Sequence, residues 1–246
     1  MLRNGSPPFS SAAHSRAHAR PAVSRTVAAS MFRNLGRPVL LVGCGGHATV
    51  LIETLRTSGA HVLAAVDNDL SKTGTTIAGV RIIGSDDVVF QHEPGGVLLV
   101  NGVGSVGRPV ARKAVFDRFR KAGYNFATVV HPSAVIAADV ELAEGAQVMA
   151  GVVIQPRSSV GMDTIVNTRA GIDHDGCIGA HVHIAPGATL CGNVTVGDEC
   201  HIGAGATLIH GVQVAPHCVV GAGAVVLRPI ASAGTYCGVP AKQRPD

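Results

Sequence analysis

The run Ile172-Asp173-His174-Asp175 sets one imidazole between two carboxylates. A carboxylate beside a histidine orients the ring and raises its basicity, which suits proton abstraction by a general base. Most histidines in surface turns do nothing, so this pattern alone leaves chemistry and idle exposure open. Two more histidines, His183 and His201, lie eighteen residues apart. A different chemistry is written nearer the start. Gly43-Cys44-Gly45-Gly46-His47-Ala48 has the form G-x-G-x-x-A, and Asp67 stands about twenty residues further on, as a phosphate-binding turn with a distal acid requires. Glycines let backbone approach a phosphate, and the helix start that follows supplies free N–H groups and a positive dipole end. The acidic turn Asp67-Asn68-Asp69 also reads simply as a solvated turn. The 6 cysteines include no Cys-x-x-Cys pair, which argues against a structural zinc site and for a reduced, cytosolic chain.

Such residues act only if something positions them. From Val130 to Val226 every sixth residue is Ile, Leu or Val, in unbroken register through Val148, Val166, Ile184, Ile202 and Val220. With aliphatics at about a quarter of positions, the chance of such a run is on the order of 10⁻¹⁰, so composition does not explain it. Four residues after each of these sits a small or β-branched residue, such as Ala146, Ser158, Thr164, Ala188, Cys200 and Ala224. This is the signature of a parallel β-helix of hexapeptide repeats. Three hexapeptides make one triangular coil, so residue i lies under residue i+18, and His183 stacks beneath His201. A sandwich of alternating strands does not hold a period of six over this length.

The segment before it reads as strand, Gly-rich turn, helix, strand and acidic residue, the first βαβ unit of a Rossmann-like fold. Strands are expected at 38–42, 62–66, 80–83, 97–100 and 126–130. Helices are expected at 49–57 and 108–121, the second with Val110, Ala114, Val115 and Phe119 on its apolar face. About ninety residues are half of a full dinucleotide domain, enough for a mononucleotide or a nucleotide-sugar. The expected domains are a disordered leader at 1–36, a Rossmann-like domain at 37–129, the β-helix at 130–228 and a C-terminal tail at 229–246. The leader holds Arg3, Arg16, Arg20 and Arg25 before the first acid, Glu53. A transit peptide has this composition; a disordered leader, or a start at Met31, is the plainer reading. These four arginines account for the formal net charge of +4, so the basic balance gives no reason to expect nucleic-acid binding. No apolar run approaches the length of about eighteen residues a membrane helix needs.

Taken together, the Val42–His47 turn, Val66-Asp67-Asn68-Asp69, His131-Pro132-Ser133-Ala134 and Asn167-Thr168 carry a resemblance. Asp173-His174-Asp175, His183-Ile184-Ala185-Pro186-Gly187-Ala188, Gly192-Asn193-Val194 and Gly238-Val239-Pro240-Ala241-Lys242 extend it. From residue 38 to 242 the chain resembles the nucleotide-sugar acyltransferases of the sialic acid O-acetyltransferase and bacillosamine N-acetyltransferase family. The resemblance implies an acetyl-CoA-dependent enzyme with a left-handed β-helix. It also implies a homotrimer that binds acetyl-CoA between neighbouring β-helices. It makes His174 the general base and Asp175 the acid that raises its basicity, where family members often have Glu. His183, Ala204 and Ala222 match positions that contact acetyl-CoA, the last two through backbone. Gly45, Gly46, His47, Asp67, Asn68 and Gly104 match contacts to the nucleotide-sugar. Two acids are common where this chain has Asp67-Asn68, and the loop from Gly104 to Arg112 is longer than in the bacillosamine enzymes, a feature of the sialic-acid branch.

In the implied reaction His174 takes a proton as the acceptor attacks the thioester carbonyl, and a backbone N–H meets the charge that develops on oxygen. Gly192, one coil above His174 and without a side chain, is the expected donor of that N–H. N-acetylation of a nucleotide-linked 4-amino-deoxy sugar is the first reading, and O-acetylation of a sugar the alternative. A third reading makes His183 and His201 ligands in a metal-dependent hexapeptide protein of the carbonic-anhydrase-like kind. Such a site needs three histidines around one ion, and His217 is off the row, so no metal is expected.

Overall fold

The computed structural model describes residues 36–244; the expected leader therefore lies outside the described residues, apart from Gly36. Val39–Val42 (β1), Val62–Val66 (β2) and Leu98–Asn101 (β5) form a parallel sheet in the order β2-β1-β5. β1 is wholly buried, as a central parallel strand covered on both faces must be,. Ile82 extends the sheet by a bridge to Ala65, and Phe126 does so by a bridge to Leu99. Between β2 and β5 the expected strand at 80–83 is instead a two-residue-stranded hairpin, Thr76–Ile77 (β3) with Val80–Arg81 (β4). Its turn needs the left-handed conformations of Ala78 and Gly79.

The first helix (α1) spans Gly46–Thr57, beginning three residues before the start expected from apolar spacing. Gly46 and His47 carry no periodic signal, yet they form its first turn, and Gly45 is its N-cap without a side-chain hydrogen bond. The second helix (α2), Val110–Lys121, buries Phe119 of the expected face but is rotated toward Arg112 and Phe116. Arg112, Phe116 and Phe119 are buried, whereas Val110 is 66% exposed. An arginine ends up inside because a buried carboxylate waits for it, as described below.

From Val129 onward the chain is a parallel β-solenoid. Two-residue strands stack eighteen residues apart, Val130 on Val148 and Val148 on Val166 in one sheet, Ile136 on Ile154 in the second and Leu142 on Val160 in the third. The six-residue register holds throughout, and the aliphatic row with its small companion row forms one continuous core. The polar members of the small row are satisfied in one way. Ser158 Oγ donates to Asp173 O at 3.0 Å and Thr164 Oγ1 to Gly179 O at 2.8 Å, while each hydroxyl accepts an N–H from Gly176 or Val182. A buried hydroxyl bonded on both sides carries no desolvation penalty comparable to an orphaned one. Val166 is fully buried in this stack. Val166→Asp is expected to abolish cooperative unfolding above room temperature, since an unpaired carboxylate in an apolar interior costs several kcal/mol. A soluble variant with a wild-type melting curve would show that the register is wrong.

The turns between strands are the other half of the pattern. Arg157, Asp175 and Asn193 on one edge, and Asp163, His181, Glu199 and His217 on another, all have φ between 54° and 62°. Asn and Asp tolerate this left-handed region better than most residues. One edge of the prism thereby becomes a polar ladder and another presents the Asp173-His174-Asp175 turn.

Past Val226 the expected tail continues the solenoid. Ile230 bridges to Val214, Gly234–Cys237 pairs in parallel with Cys218–Val220, and Lys242–Gln243 adds an antiparallel strand. Cys218 pairs with Gly234, so this closing coil is two residues shorter than the others.

Candidate active site

The solenoid presents His174 at a corner, its side chain 45% exposed. The imidazole Nδ1 lies 2.7 Å from Asp175 Oδ2. Since the carboxylate can only accept, Nδ1–H donates, and Nε2 is left with its lone pair toward solvent. Asp175 is shared. Arg157, one coil below, grips it through Nε to Oδ1 at 2.7 Å and Nη2 to Oδ2 at 2.8 Å. The Arg157 guanidinium, with the His174 imidazole second, holds Asp175 well below the usual carboxylate range. Sequence reading passed over Arg157, although the register contained the signal, because 157 and 175 occupy the same place in successive coils.

Gly192 sits directly above. A Cβ built there would lie 2.6 Å from both Cε1 and Nε2 of His174, so any side chain would push the ring off Asp175. On either side Cys191 N donates to Leu208 O and Asn193 N to His174 O. The carbonyl of Gly192 accepts from Gly211 N at 3.0 Å, but its N–H has no backbone acceptor among the described residues, which leaves that N–H available to an incoming oxygen.

The Gly-rich turn lies elsewhere, where the N-terminal domain meets one flat face of the solenoid. Its glycines divide into two kinds. Gly43 has φ +93, and a Cβ on Gly102 would lie 2.3 Å from Gly43 O, so these two permit the loops after β1 and β5 to touch through backbone. Gly104 packs its Cα side against His47, where a Cβ would meet His47 Cβ at 3.3 Å. Gly45 and Gly46 meet nothing within 4 Å, so their bare backbone faces open space at the start of α1. Asp67 accepts from Cys44 N at 2.7 Å, from Asp69 N at 2.8 Å and from Lys72 Nζ at 3.0 Å. Burial would raise its pKa, but these hydrogen bonds win and lower it. Asn68 turns away from the glycines and bonds Asp86 through Nδ2 to Oδ2 at 2.9 Å.

The seam between the domains is lined with polar groups. His47 Nε2 donates to Gln147 Oε1 at 2.7 Å, and Gln147 Nε2 donates to Asn101 O at 2.8 Å. His183 is nearly buried, with Nδ1 donating to Ser105 O and Nε2 accepting from Asn167 Nδ2 at 3.1 Å. Burial pushes both His47 and His183 down to about 4, so both rings are neutral near pH 7. His183 stacks edge-on against His201 with centroids 5.0 Å apart, as the register required. Among the described residues no third His, Cys, Asp or Glu joins them in a cluster that could hold a metal ion. Beneath the seam Arg112 is 1% exposed and pairs with the fully buried Asp163 at 2.7 Å. It also donates to the carbonyls of Asp163, Asn101 and Val103. Nothing in the sequence singled out Gln147, Asn101, Arg112 or Asp163.

Ala204 and Ala222 lie one coil apart on the exposed edge that follows the His183 strand row. His174 belongs to the next edge round the prism. A single chain therefore gathers His47, Gln147 and His183 at one place, His174, Asp175 and Gly192 at a second, and Ala204 with Ala222 at a third.

Residues 38–119 match the family model described as the PglD N-terminal domain. Residues 178–210 and 193–228 match the bacterial transferase hexapeptide (six repeats). The GDP-perosamine N-acetyltransferase from Caulobacter crescentus, solved as a histidine variant with CoA and GDP-perosamine, is 37% identical. The match covers 85% of this chain and 97% of that one with a TM-score of 0.79. The acetyltransferase domain of PglB from Neisseria gonorrhoeae, in complex with acetyl coenzyme A, is 31% identical over 85% of this chain and 99% of that one, with a TM-score of 0.78. WeeI from Acinetobacter baumannii, at 22% identity and a TM-score of 0.76, shares the fold. A hexapeptide solenoid with a histidine–carboxylate corner is thus joined to an N-terminal domain of the PglD type. The chain belongs to the nucleotide-sugar acetyltransferases.

Proposed function

We propose that the protein transfers the acetyl group of acetyl-CoA to the amine of a nucleotide-linked amino-deoxy sugar, with His174 as general base. The observation that carries this is the His174–Asp175 pair beneath the vacant side of Gly192. Its Nδ1–H is fixed on a carboxylate, its Nε2 is free, and the space beside Nε2 is kept open by a glycine. The neutral acceptor amine attacks the thioester carbonyl, Nε2 takes the amine proton, and the Gly192 N–H stabilises the oxygen as it becomes negative. The named neighbours with more than 30% identity include one solved with an amino sugar nucleotide, which favours nitrogen over oxygen as the acceptor.

The sugar nucleotide fits the open backbone of Gly45 and Gly46 at the start of α1, where free N–H groups receive a phosphate. Acetyl-CoA fits the edge bearing Ala204 and Ala222. Because that edge and the His174 edge belong to different corners of one prism, a complete site needs a neighbouring copy, and a homotrimer supplies it. The test is release of CoA thiol from acetyl-CoA across a panel of amino- and hydroxy-sugars, free and nucleotide-linked, using protein whose mass in solution is that of three chains. Turnover restricted to nucleotide-linked amino sugars is expected. Turnover of hydroxy-sugars alone would replace this reading with O-acetylation.

His47→Ala is expected to raise KM for the sugar nucleotide several-fold, because it removes the hydrogen bond to Gln147 that anchors the first turn of α1 where a phosphate is expected,, while KM for acetyl-CoA moves little. Equal changes in both would remove the N-terminal domain from sugar binding. The Arg157–Asp175–His174 chain makes a paired prediction for the pH–rate profile. Asp175→Asn withdraws the partner of the protonated ring, so the acidic limb moves to lower pH. Arg157→Gln frees the carboxylate and removes a positive charge, so the limb moves to higher pH. Shifts of the same sign would mean that Asp175 does not act on His174.

A further inference from the structure

Above Gly192 in the same row comes His210, which neither the family resemblance nor the mechanism above employs. Its ring centroid is 6.2 Å from that of His174, with the planes tilted by 48°. The point a Gly192 Cβ would occupy is 2.6 Å from His174 Nε2 and 3.1 Å from His210 Nδ1. Two imidazole nitrogens thus border one small space, and the residue between them is the one type that leaves it empty. Of the two rings only His174 has a carboxylate partner; among the described residues no acid pairs with His210. Arg228 follows one coil further along the row.

Acyl transfer from a thioester to an amine moves two protons at one carbon. The acceptor nitrogen must lose one, and the departing thiolate must gain one. We infer that His210 is the second proton-transferring residue of this site, a general acid facing the general base His174 across Gly192. This rests on the acetyltransferase reading above. As the N–C bond forms, the amine proton passes to His174 Nε2. As the C–S bond breaks, the protonated His210 gives its Nδ1 proton to the sulfur. The products are the N-acetyl sugar and CoA thiol, leaving His174 protonated and His210 neutral. One proton crossing the shared space, directly or through a water, restores both.

The experiment is His210→Ala in the full-length protein, measured beside wild type and His174→Ala. His210→Ala should lose roughly tenfold to a hundredfold in kcat, within the usual range of acid–base catalysis or just below it. CoA affinity by calorimetry, KM for both substrates and the melting curve should stay unchanged, since an exposed ring is removed. Added imidazole should restore part of the rate, and the rescue should strengthen as pH falls, because imidazolium is the species that donates. A wild type that turns over, with His210→Ala equal to it, would sink this inference and spare the function. Rescue that strengthens as pH rises would overturn the acid role, as would a loss confined to CoA affinity. A wild type inactive on every acceptor would sink the function and this inference together.

Discussion

His174→Ala is expected to lower kcat by about 10²–10⁴ while leaving both KM values within twofold, since a general base is felt mainly in the transition state. The structure narrows why. The ring is held by one hydrogen bond to Asp175 at 2.7 Å, and 45% exposure of the side chain means that little packing depends on it. The variant should therefore keep the assembly and melting temperature of the wild type. A kcat within a few-fold of wild type would move the base elsewhere. His183 would be a poor substitute, because both its nitrogens are engaged and burial holds it down to about 4. An acceptor amine that arrives already neutral would then be the better account.

The second large effect concerns stability. Arg112→Ala is expected to cost about 3–5 kcal/mol, the range found when one partner of a buried ion pair is removed. Asp163 would be left fully buried with Asn101 Nδ2 at 3.1 Å and His181 Nδ1 at 3.1 Å as its remaining donors. The carbonyls of Asp163 and Val103 would lose the arginine donor at the same time, and Asn101 O would keep only Gln147 Nε2. Burial lowers the pKa of Arg112, against the pull of Asp163, but a guanidinium stays charged in any case. Denaturant unfolding read out by circular dichroism gives the value. A loss under 1 kcal/mol would mean that the seam carries little of the stability. Arg112→Ala with Asp163→Asn should recover part of the loss, since the uncompensated charge is then gone.

The two halves of the molecule were legible to different degrees. The solenoid was read to the residue because its core is set by local repetition: each aliphatic stop faces inward by virtue of its own hexapeptide and stacks on the one eighteen residues away. The pair His174-Asp175 stood out from its own local run and from the family resemblance, while Arg157 and His210 were present in the register but unread. The seam was different. His47 meets Gln147 across a hundred residues of sequence, and Arg112 meets Asp163 across 51. No period links such pairs; they exist because the N-terminal segment packs against a face of the solenoid. Arg112 looked like the polar side of an amphipathic helix, and only the carboxylate opposite reverses that assignment. The start of α1 was missed for a local reason, since glycines carry no helical periodicity even when they form a first turn.

The shortened closing coil has a consequence for how the protein behaves in a crowded solution. A stack of parallel strands has no natural end, and each of its three faces would finish in a row of unpaired backbone groups inviting another chain to continue it. Here the stretch after Val226 meets all three faces. Ile230 N donates to Gln213 O, Gly221 N to Tyr236 O, and Val225 N to Gly238 O, each at 2.8–3.1 Å. The last strand, Lys242–Gln243, runs antiparallel and ends in exposed polar side chains. A solenoid cannot be prolonged through a strand that runs the wrong way and carries a charge at its rim. The segment thus acts as a stopper that keeps one polymerisable geometry finite, and chains lacking it should grow end to end rather than remain discrete particles.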